Sequence, residues 1–545
     1  MLEISVVLVM LVAVVLSQAI TTVLPFAVPL PLVQIALGAL LTTVADLSVP
    51  LNPDIFFLLF IPPLLFLDGW RIPNRSLFKD AATVLELALG LVVFTVVGVG
   101  FFIYWLIPAV PLAVAFALAA ILSPTDPLAV SAITSRVSVP QRMMHILEGE
   151  SLLNDASGLV CMRFALAAAL TGTFSLPQAV ASFLWVALGG ISIGVGLTWA
   201  VAKVKSWLSQ HFGENTGALI LISLLIPFGA YLVAEHLHCS GILAAVGAGI
   251  TMSYAELWGH VRGETRMQRA AVWNTVQFAA NGAVFVLLGE QMPRILSGAA
   301  AVVREAGHHQ TWVLALYVLA ITAALAVLRF MWVWISIRFT LFRAARRGEA
   351  RPIPSLRLAA AVSFAGVRGA ITLAGVLTFP LALPDGTPFP TRELCIFLAA
   401  GVIVLSLVWA SISLPSLLAR LTLPPDDSHE GEEDRVRVAA AQAALRAVQR
   451  AQERLSQQGE DADLYADAVG DVLAMYRNRL DGHRGTADRS SEGRRIAEAE
   501  RRLRLAGLKA EREEIFKQAR LRRIDDQTAR RLVRELDLLE ARLAH

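Results

Sequence analysis

Apolar runs of about twenty residues recur along this chain as far as about Leu423, and they restrict its fold more than any other feature. A hydrocarbon layer ~30 Å thick is crossed by about 20 helical residues. Water is absent there, so backbone hydrogen bonds must close within each segment, and helices are the economical solution. About thirteen such segments can be drawn, centred near residues 12, 36, 61, 94, 122, 157, 190, 226, 245, 280, 325, 367 and 406. The whole chain is 56% hydrophobic and 17% charged, with a mean hydropathy of +0.61. No water-soluble domain has that balance. The expected class is an all-α polytopic membrane protein.

Charge is unevenly spread. It is sparse through residues 1–423 and dense through 424–545, which predicts a transmembrane domain followed by a polar tail. The first residues, Met-Leu-Glu and then an apolar run, lack the basic start of a signal peptide and read as a first span. Alternate loops are basic, among them those with Arg71 and Arg75, Arg136 and Arg142, Lys203 and Lys205, Arg262 to Arg269, and Arg338 to Arg357. The intervening loops, such as Asp46 to Asp54, are acidic or nearly neutral. Basic loops stay in the cytoplasm. An odd number of spans then puts the N-terminus outside and the tail inside. Val436 to Gln458 and Ile496 to Leu543 show helical spacing with Glu/Arg neighbours. Mixed charge there argues against a nucleic-acid partner. Cys161, Cys239 and Cys395 have no pairing or metal spacing, and the outer-loop His308-His309 pair lacks further ligands.

Charged groups within apolar spans are costly and mark functional candidates. Glu148-Gly149-Glu150-Ser151-Leu152-Leu153-Asn154-Asp155 opens an otherwise apolar helix. At about 100° per residue, Glu148, Ser151 and Asp155 share one face, and Glu150 points about 140° from Asp155. Asp155, Ser151 and the adjacent Asn154 amide form an oxygen-rich set suited to a hard cation such as Na⁺. Ser123-Pro124-Thr125-Asp126-Pro127 lies mid-span, where two prolines break the ladder. It offers Thr125 oxygens as ligands, with Asp126 balancing the half-helix ends. Gly366-Val367-Arg368-Gly369 interrupts a span in the second half, suggesting inverted repeats. A buried Arg329 needs an acid partner; Glu150 is preferred, which leaves Asp126 for Arg368. Pro62-Pro63 is expected to break or bend its helix, with Asp68 near Arg71 as a surface ion pair. Glu235, Asn281 and Glu290 read as interfacial, and Arg163 has no partner on sequence grounds.

Pro62-Pro63-Leu64-Leu65-Phe66, Ser123 to Pro127, Glu148 to Asp155, Tyr231 to Gly241 and Gly366 to Gly369 together resemble the NHE/NhaP-type monovalent cation:proton antiporters over roughly residues 1–423. The resemblance does not extend to the tail. It implies a 13-helix fold with two crossed discontinuous helices and a dimerisation part. It also implies Asp155 as transport carboxylate, helped by Asn154, Ser151 and Thr125, and a structural Glu150–Arg329 pair. One departure is Leu67, where such proteins often carry an acid; Asp68 stands one residue later.

The expected activity is exchange of Na⁺ or Li⁺ for H⁺ across a bacterial inner membrane by a homodimer, without a cofactor and without enzymatic chemistry. A carboxylate removed from water holds a proton more readily, so proton and Na⁺ exclude each other at Asp155, with Na⁺ held by Asp155, Ser151 and Thr125. One such site predicts electroneutral one-for-one exchange. A K⁺/H⁺ antiporter is the alternative. A remote one is an intramembrane aspartyl protease using Asp126 and Asp155. Green fluorescent protein fused after His545 is expected to fluoresce in cells, and alkaline phosphatase fused there to stay inactive. The opposite pattern would invert the orientation.

Overall fold

The computed structural model describes residues 2–23, 28–45, 53–71, 90–134, 141–171, 176–212, 215–258, 263–305, 310–346, 356–383 and 385–418, together with short helical stretches between 442 and 540. The chain separates into two compact units, Met1–Thr422 and Leu423–His545. In the second unit the described stretches, such as 445–450 and 538–540, are helical; the rest of the expected tail helices lie outside the described residues. So do the side chain of Glu148, the His308-His309 pair and much of the basic loops.

Regular structure in the first unit is helical among the described residues, apart from an isolated bridge between Ala382 and Pro388. The helices are α1 (Leu2–Val23), α2 (Leu30–Ala45), α3 (Pro53–Arg71), α4 (Leu91–Leu106), α5 (Leu112–Leu122), α6 (Pro127–Thr134), α7 (Gln141–Thr171) and α8 (Leu176–Phe212). They continue with α9 (Thr216–His236), α10 (Gly241–Trp258), α11 (Gly263–Ser297), α12 (Ala299–Glu305), α13 (Trp312–Arg346), α14 (Leu356–Phe364), α15 (Ala370–Leu377) and α16 (Arg392–Leu418). Stretches of α8, α9, α11, α13 and α16 are long and apolar enough to cross a membrane, and shorter apolar helices accompany them. Large apolar side chains such as Val15, Trp185, Leu188, Leu221 and Val327 are exposed, while Glu150, Asn154, Asp155, Arg329 and Arg368 are buried. That polarity, apolar outside and polar inside, suits hydrocarbon as the solvent.

Close helix crossings are made on glycine. A Cβ on Gly38 of α2 would overlap the Val286 carbonyl of α11, and one on Gly289 of α11 would overlap the Ile35 carbonyl of α2. The arrangement is reciprocal, so the two backbones touch where side chains would hold them apart. Gly249 of α10 sits against the Phe66 carbonyl of α3 in the same way, and Gly69 of α3 against Val246. A sulfur- and aromatic-rich patch adds to the α3–α9–α10–α11 packing. Phe66 stacks on Trp273 with centroids 5.3 Å apart, and Trp273 Nε1 donates to Ser223 Oγ at 3.2 Å.

Two expectations change here. α3 runs through Pro62 and Pro63 as one helix; neighbouring helices make proline tolerable inside a membrane bundle. Arg269, read from sequence as one of a basic loop's charges, is buried within α11 at 1% exposure. It pairs with Glu256 of α10 and lies 5.2 Å from the Trp70 ring centre, and Trp70 Nε1 donates to the same glutamate at 2.9 Å. The Gly289→Val variant is expected to lower the melting temperature in detergent, by about 1–3 kcal/mol of overpacking, while Gly196→Ala, which meets nothing within 4 Å, leaves it within error.

Candidate cation site at two helix interruptions

The site is built where two spans stop being helical. α5 ends at Leu122, residues 123–126 are non-helical, and α6 starts at Pro127. α14 ends at Phe364, residues 365–369 are non-helical, and α15 starts at Ala370. Each break frees carbonyls and N–H groups that water would otherwise satisfy. They satisfy one another. The Asp126 N–H donates to the Val367 carbonyl at 2.7 Å. Arg368 Nε donates to the Leu122 carbonyl at 2.9 Å, and its Nη1 donates to the Gly366 carbonyl. Arg368 N–H donates to Ser406 Oγ of α16 at 3.2 Å. The Arg368 guanidinium thus donates to the last carbonyl of α5 and to a carbonyl within the second interruption. Asp126 packs over Gly369, whose missing Cβ leaves the space for its carboxylate, and its Oδ1 accepts from the Ala129 N–H at 3.3 Å.

α7 lies against the first break. Gly158 presents no Cβ toward Pro124, which allows the approach. Ser151 Oγ donates to the Thr125 carbonyl at 2.7 Å, and Asn154 Nδ2 donates to Thr125 Oγ1 at 3.1 Å. Asn154 is 1% exposed, and its Oδ1 has no hydrogen-bond partner among the described residues. Asp155 is 7% exposed. Its carboxylate faces a cavity of about 50 Å³, walled also by Thr125, Asp126, Ser151, Asp68 and Asn281. That volume holds a small ion with a few waters. Carboxylate, hydroxyl and carbonyl oxygens around it make a hard-cation environment.

Glu150, on the opposite side of α7, meets Arg329 of α13. Arg329 Nη1 and Nη2 reach Glu150 Oε1 and Oε2 at 2.5 and 2.9 Å, and Arg329 Nε donates to the Val362 carbonyl of α14 at 3.2 Å. Both residues are at most 2% exposed. A forked pair of this geometry fixes α7 to α13 and α14. Removing one member leaves a buried charge uncompensated.

Sequence reasoning set aside two groups that line the cavity. Asp68, which the sequence places near Arg71, also borders the same cavity as Asp155. Arg71 reaches across to α11, donating to Asn274 Oδ1 at 2.5 Å and Gln277 Oε1 at 2.6 Å. Asn281, taken as interfacial, is the other; its position in the apolar middle of α11 was the available signal. Arg163 acquires a partner in Glu235, at 3.3 Å.

Glu150→Gln and Arg329→Met are each expected to destabilise the protein by about 3–5 kcal/mol. The double Glu150→Leu/Arg329→Met variant should recover part of that. Thermal unfolding followed by size-exclusion fluorescence measures all three.

The family model described as "Sodium/hydrogen exchanger, transmembrane" matches residues 6–420. An uncharacterised Na(+)/H(+) exchanger of Escherichia coli (strain K12), YjcE, is 42% identical over 543 residues, covering 98% of each chain. That identity runs on through the tail, beyond the resemblance read from the sequence. The sodium, potassium, lithium and rubidium/H(+) antiporter of Bacillus subtilis (strain 168) is 39% identical over 541 residues, 98% of this chain and 77% of that one. The structure of the sodium proton antiporter MjNhaP1 from Methanocaldococcus jannaschii at pH 8 superposes with a TM-score of 0.56 at 18% identity, over 77% of this chain and 99% of that one; the likeness concerns the fold. This chain belongs to the sodium/hydrogen exchanger family, and it is a multi-pass membrane transporter, not an enzyme.

Proposed function

We propose that this protein exchanges Na⁺ or Li⁺ for H⁺ by competition at the Asp155 carboxylate. The observation that carries the reading is the convergence of Asp155, Ser151 and Thr125 on one small cavity at a helix break. An incoming Na⁺ takes Asp155, Ser151 Oγ and Thr125 as ligands. Ser151 spends its proton on the Thr125 carbonyl, so its lone pairs remain for a cation. Asn154 holds the Thr125 hydroxyl, and Asp126 sets the charge between the half-helices. A proton on Asp155 removes the charge that attracts Na⁺, and Na⁺ excludes the proton. One exchangeable charge gives electroneutral one-for-one exchange, with Asp68 as a further carboxylate bordering the same space.

In this reading residues 1–423 form the membrane domain, with thirteen spans, inverted repeats and two crossed discontinuous helices. Residues 424–545 form a cytoplasmic helical tail. The N-terminus faces outside, the protein works as a homodimer in the bacterial inner membrane, and it supports pH homeostasis and sodium tolerance. A second reading, K⁺/H⁺ exchange, is favoured by the cations in the name of the Bacillus subtilis relative; carboxylate, hydroxyl and carbonyl oxygens do not by themselves fix ion size.

In proteoliposomes the Asp155→Asn variant is expected to lose exchange while keeping the parental melting temperature. For the parent, the apparent KM for Na⁺ should rise as pH falls, approaching about tenfold per pH unit where the proton dominates. Exchange that survives in Asp155→Asn, or a pH-independent KM, refutes competition at this carboxylate. A panel of Li⁺, Na⁺, K⁺ and Rb⁺ separates the two readings.

A further inference from the structure

A second cavity, of about 290 Å³, lies along the same helix and is not part of the site above. Its wall includes Leu159, Arg163, Glu235, His238 and Cys239. Leu159 stands four residues beyond Asp155, about 6 Å along α7. The two cavities therefore meet α7 one turn apart, with Asp155 facing only the first of them.

The second cavity separates two sets of helices. α7 packs chiefly on α5, within the group that carries the interruptions. The opposite wall is a tied assembly of α8, α9 and α10. Ser240 N–H donates to the Val186 carbonyl of α8 at 3.1 Å, the turn passes through His238 at a positive φ of 55°, and Glu235 Oε1 accepts from the Gly241 N–H at 3.2 Å. Glu235 is thus anchored to the start of α10, and the same oxygen receives Arg163 Nη2 from α7 at 3.3 Å. The α7–α9 pair is otherwise sparsely packed, so this ion pair is a specific polar tie between the two walls.

We propose that the Arg163–Glu235 pair is a reversible latch across the second cavity, that this cavity serves as a second approach to Asp155, and that the latch must open when access switches sides. The inference rests on the transport reading above. If α7 moves with the interrupted helices relative to α8, α9 and α10, the anchored Glu235 cannot follow and the pair separates. Both side chains are partly exposed, at 49% and 33%. A pair of that kind is weak, which suits a contact that must break in every cycle, and its loss should change the balance of the two states only a few-fold.

Cys239, 6% exposed in the wall of this cavity, reports its opening. The experiment uses the full chain with Cys161 and Cys395 replaced by alanine, in right-side-out vesicles, and follows labelling by a membrane-impermeant methanethiosulfonate. Arg163→Gln and Glu235→Gln are each expected to label about threefold faster than the parent. The double variant should label no faster than the faster single, because both remove one contact. Arg163→Lys keeps the charge and should label at the parental rate, which covers the case in which Arg163→Gln fails to fold. Parental labelling in both Gln variants, or multiplicative effects in the double, overturns the latch. Repeating the series in Asp155→Asn keeps the two ideas distinguishable: the labelling differences should persist without exchange, and their loss there counts against the latch. Exchange by Asp155→Asn would instead count against the carboxylate's role.

Discussion

Everything at the candidate cation site depends on how two broken helices satisfy each other in a layer without water. A backbone N–H or carbonyl left open in hydrocarbon costs several kcal/mol, so one interruption alone would be a defect. Here the N–H of Asp126 in one break meets the carbonyl of Val367 in the other. Arg368 then supplies positive charge to the carbonyl of Leu122, at the end of one upstream half-helix, and to that of Gly366, two residues past the end of the other. That placement opposes the negative ends of the two helix dipoles. The breaks are paired by these bonds, and Thr125 lies beside Asp155 in the wall of the cavity.

Another constraint keeps α7 where the breaks need it. The forked Glu150–Arg329 pair is buried and self-contained, and Arg329 also reaches the Val362 carbonyl close to the downstream interruption. Gly366 gives the Arg329 side chain room to pass. One arginine thereby connects α7, α13 and α14. Glu150 and Asp155 are five residues apart on one helix yet serve different ends. The charge of Glu150 is permanently matched. Asp155 borders a cavity instead of a charged partner helix, which is why the proposed exchange is placed there.

Much of the fold was legible in the amino-acid sequence. The apolar runs announced membrane helices because the transfer cost of polar groups is a local property of composition. Each centre drawn from hydropathy falls in a helix or in one of the two interruptions. The first break was visible as Pro124 and Pro127, and the other as Gly366 and Gly369 around an arginine. The reading failed where a residue's environment comes from a distant segment. Asp68 resembled a helix-end charge because its neighbours in sequence are Arg71 and the loop; its position beside Asp155 depends on how α3 packs against α7. Arg269 sits in a basic run, but Glu256 and Trp70 fold over it. Pro62 and Pro63 suggested a break or a bend, and α3 runs through them without a break.

The sequence by itself determined that this chain's spans are membrane helices, that Pro124, Pro127, Gly366 and Gly369 mark two places where the helix is interrupted, and that Glu150 and Asp155 stand inside apolar spans. Those follow from hydrophobic transfer and from proline and glycine backbone geometry, which act over a few residues. Only the tertiary structure decided which oxygens surround Asp155, that Arg368 serves carbonyls, and that Arg163 reaches Glu235 across a separate cavity. Such partners lie from 26 residues, as for Ser151 and Thr125, to 246 residues apart, as for Arg368 and Leu122. They meet only because glycine crossings and a buried ion pair fix the helices against one another.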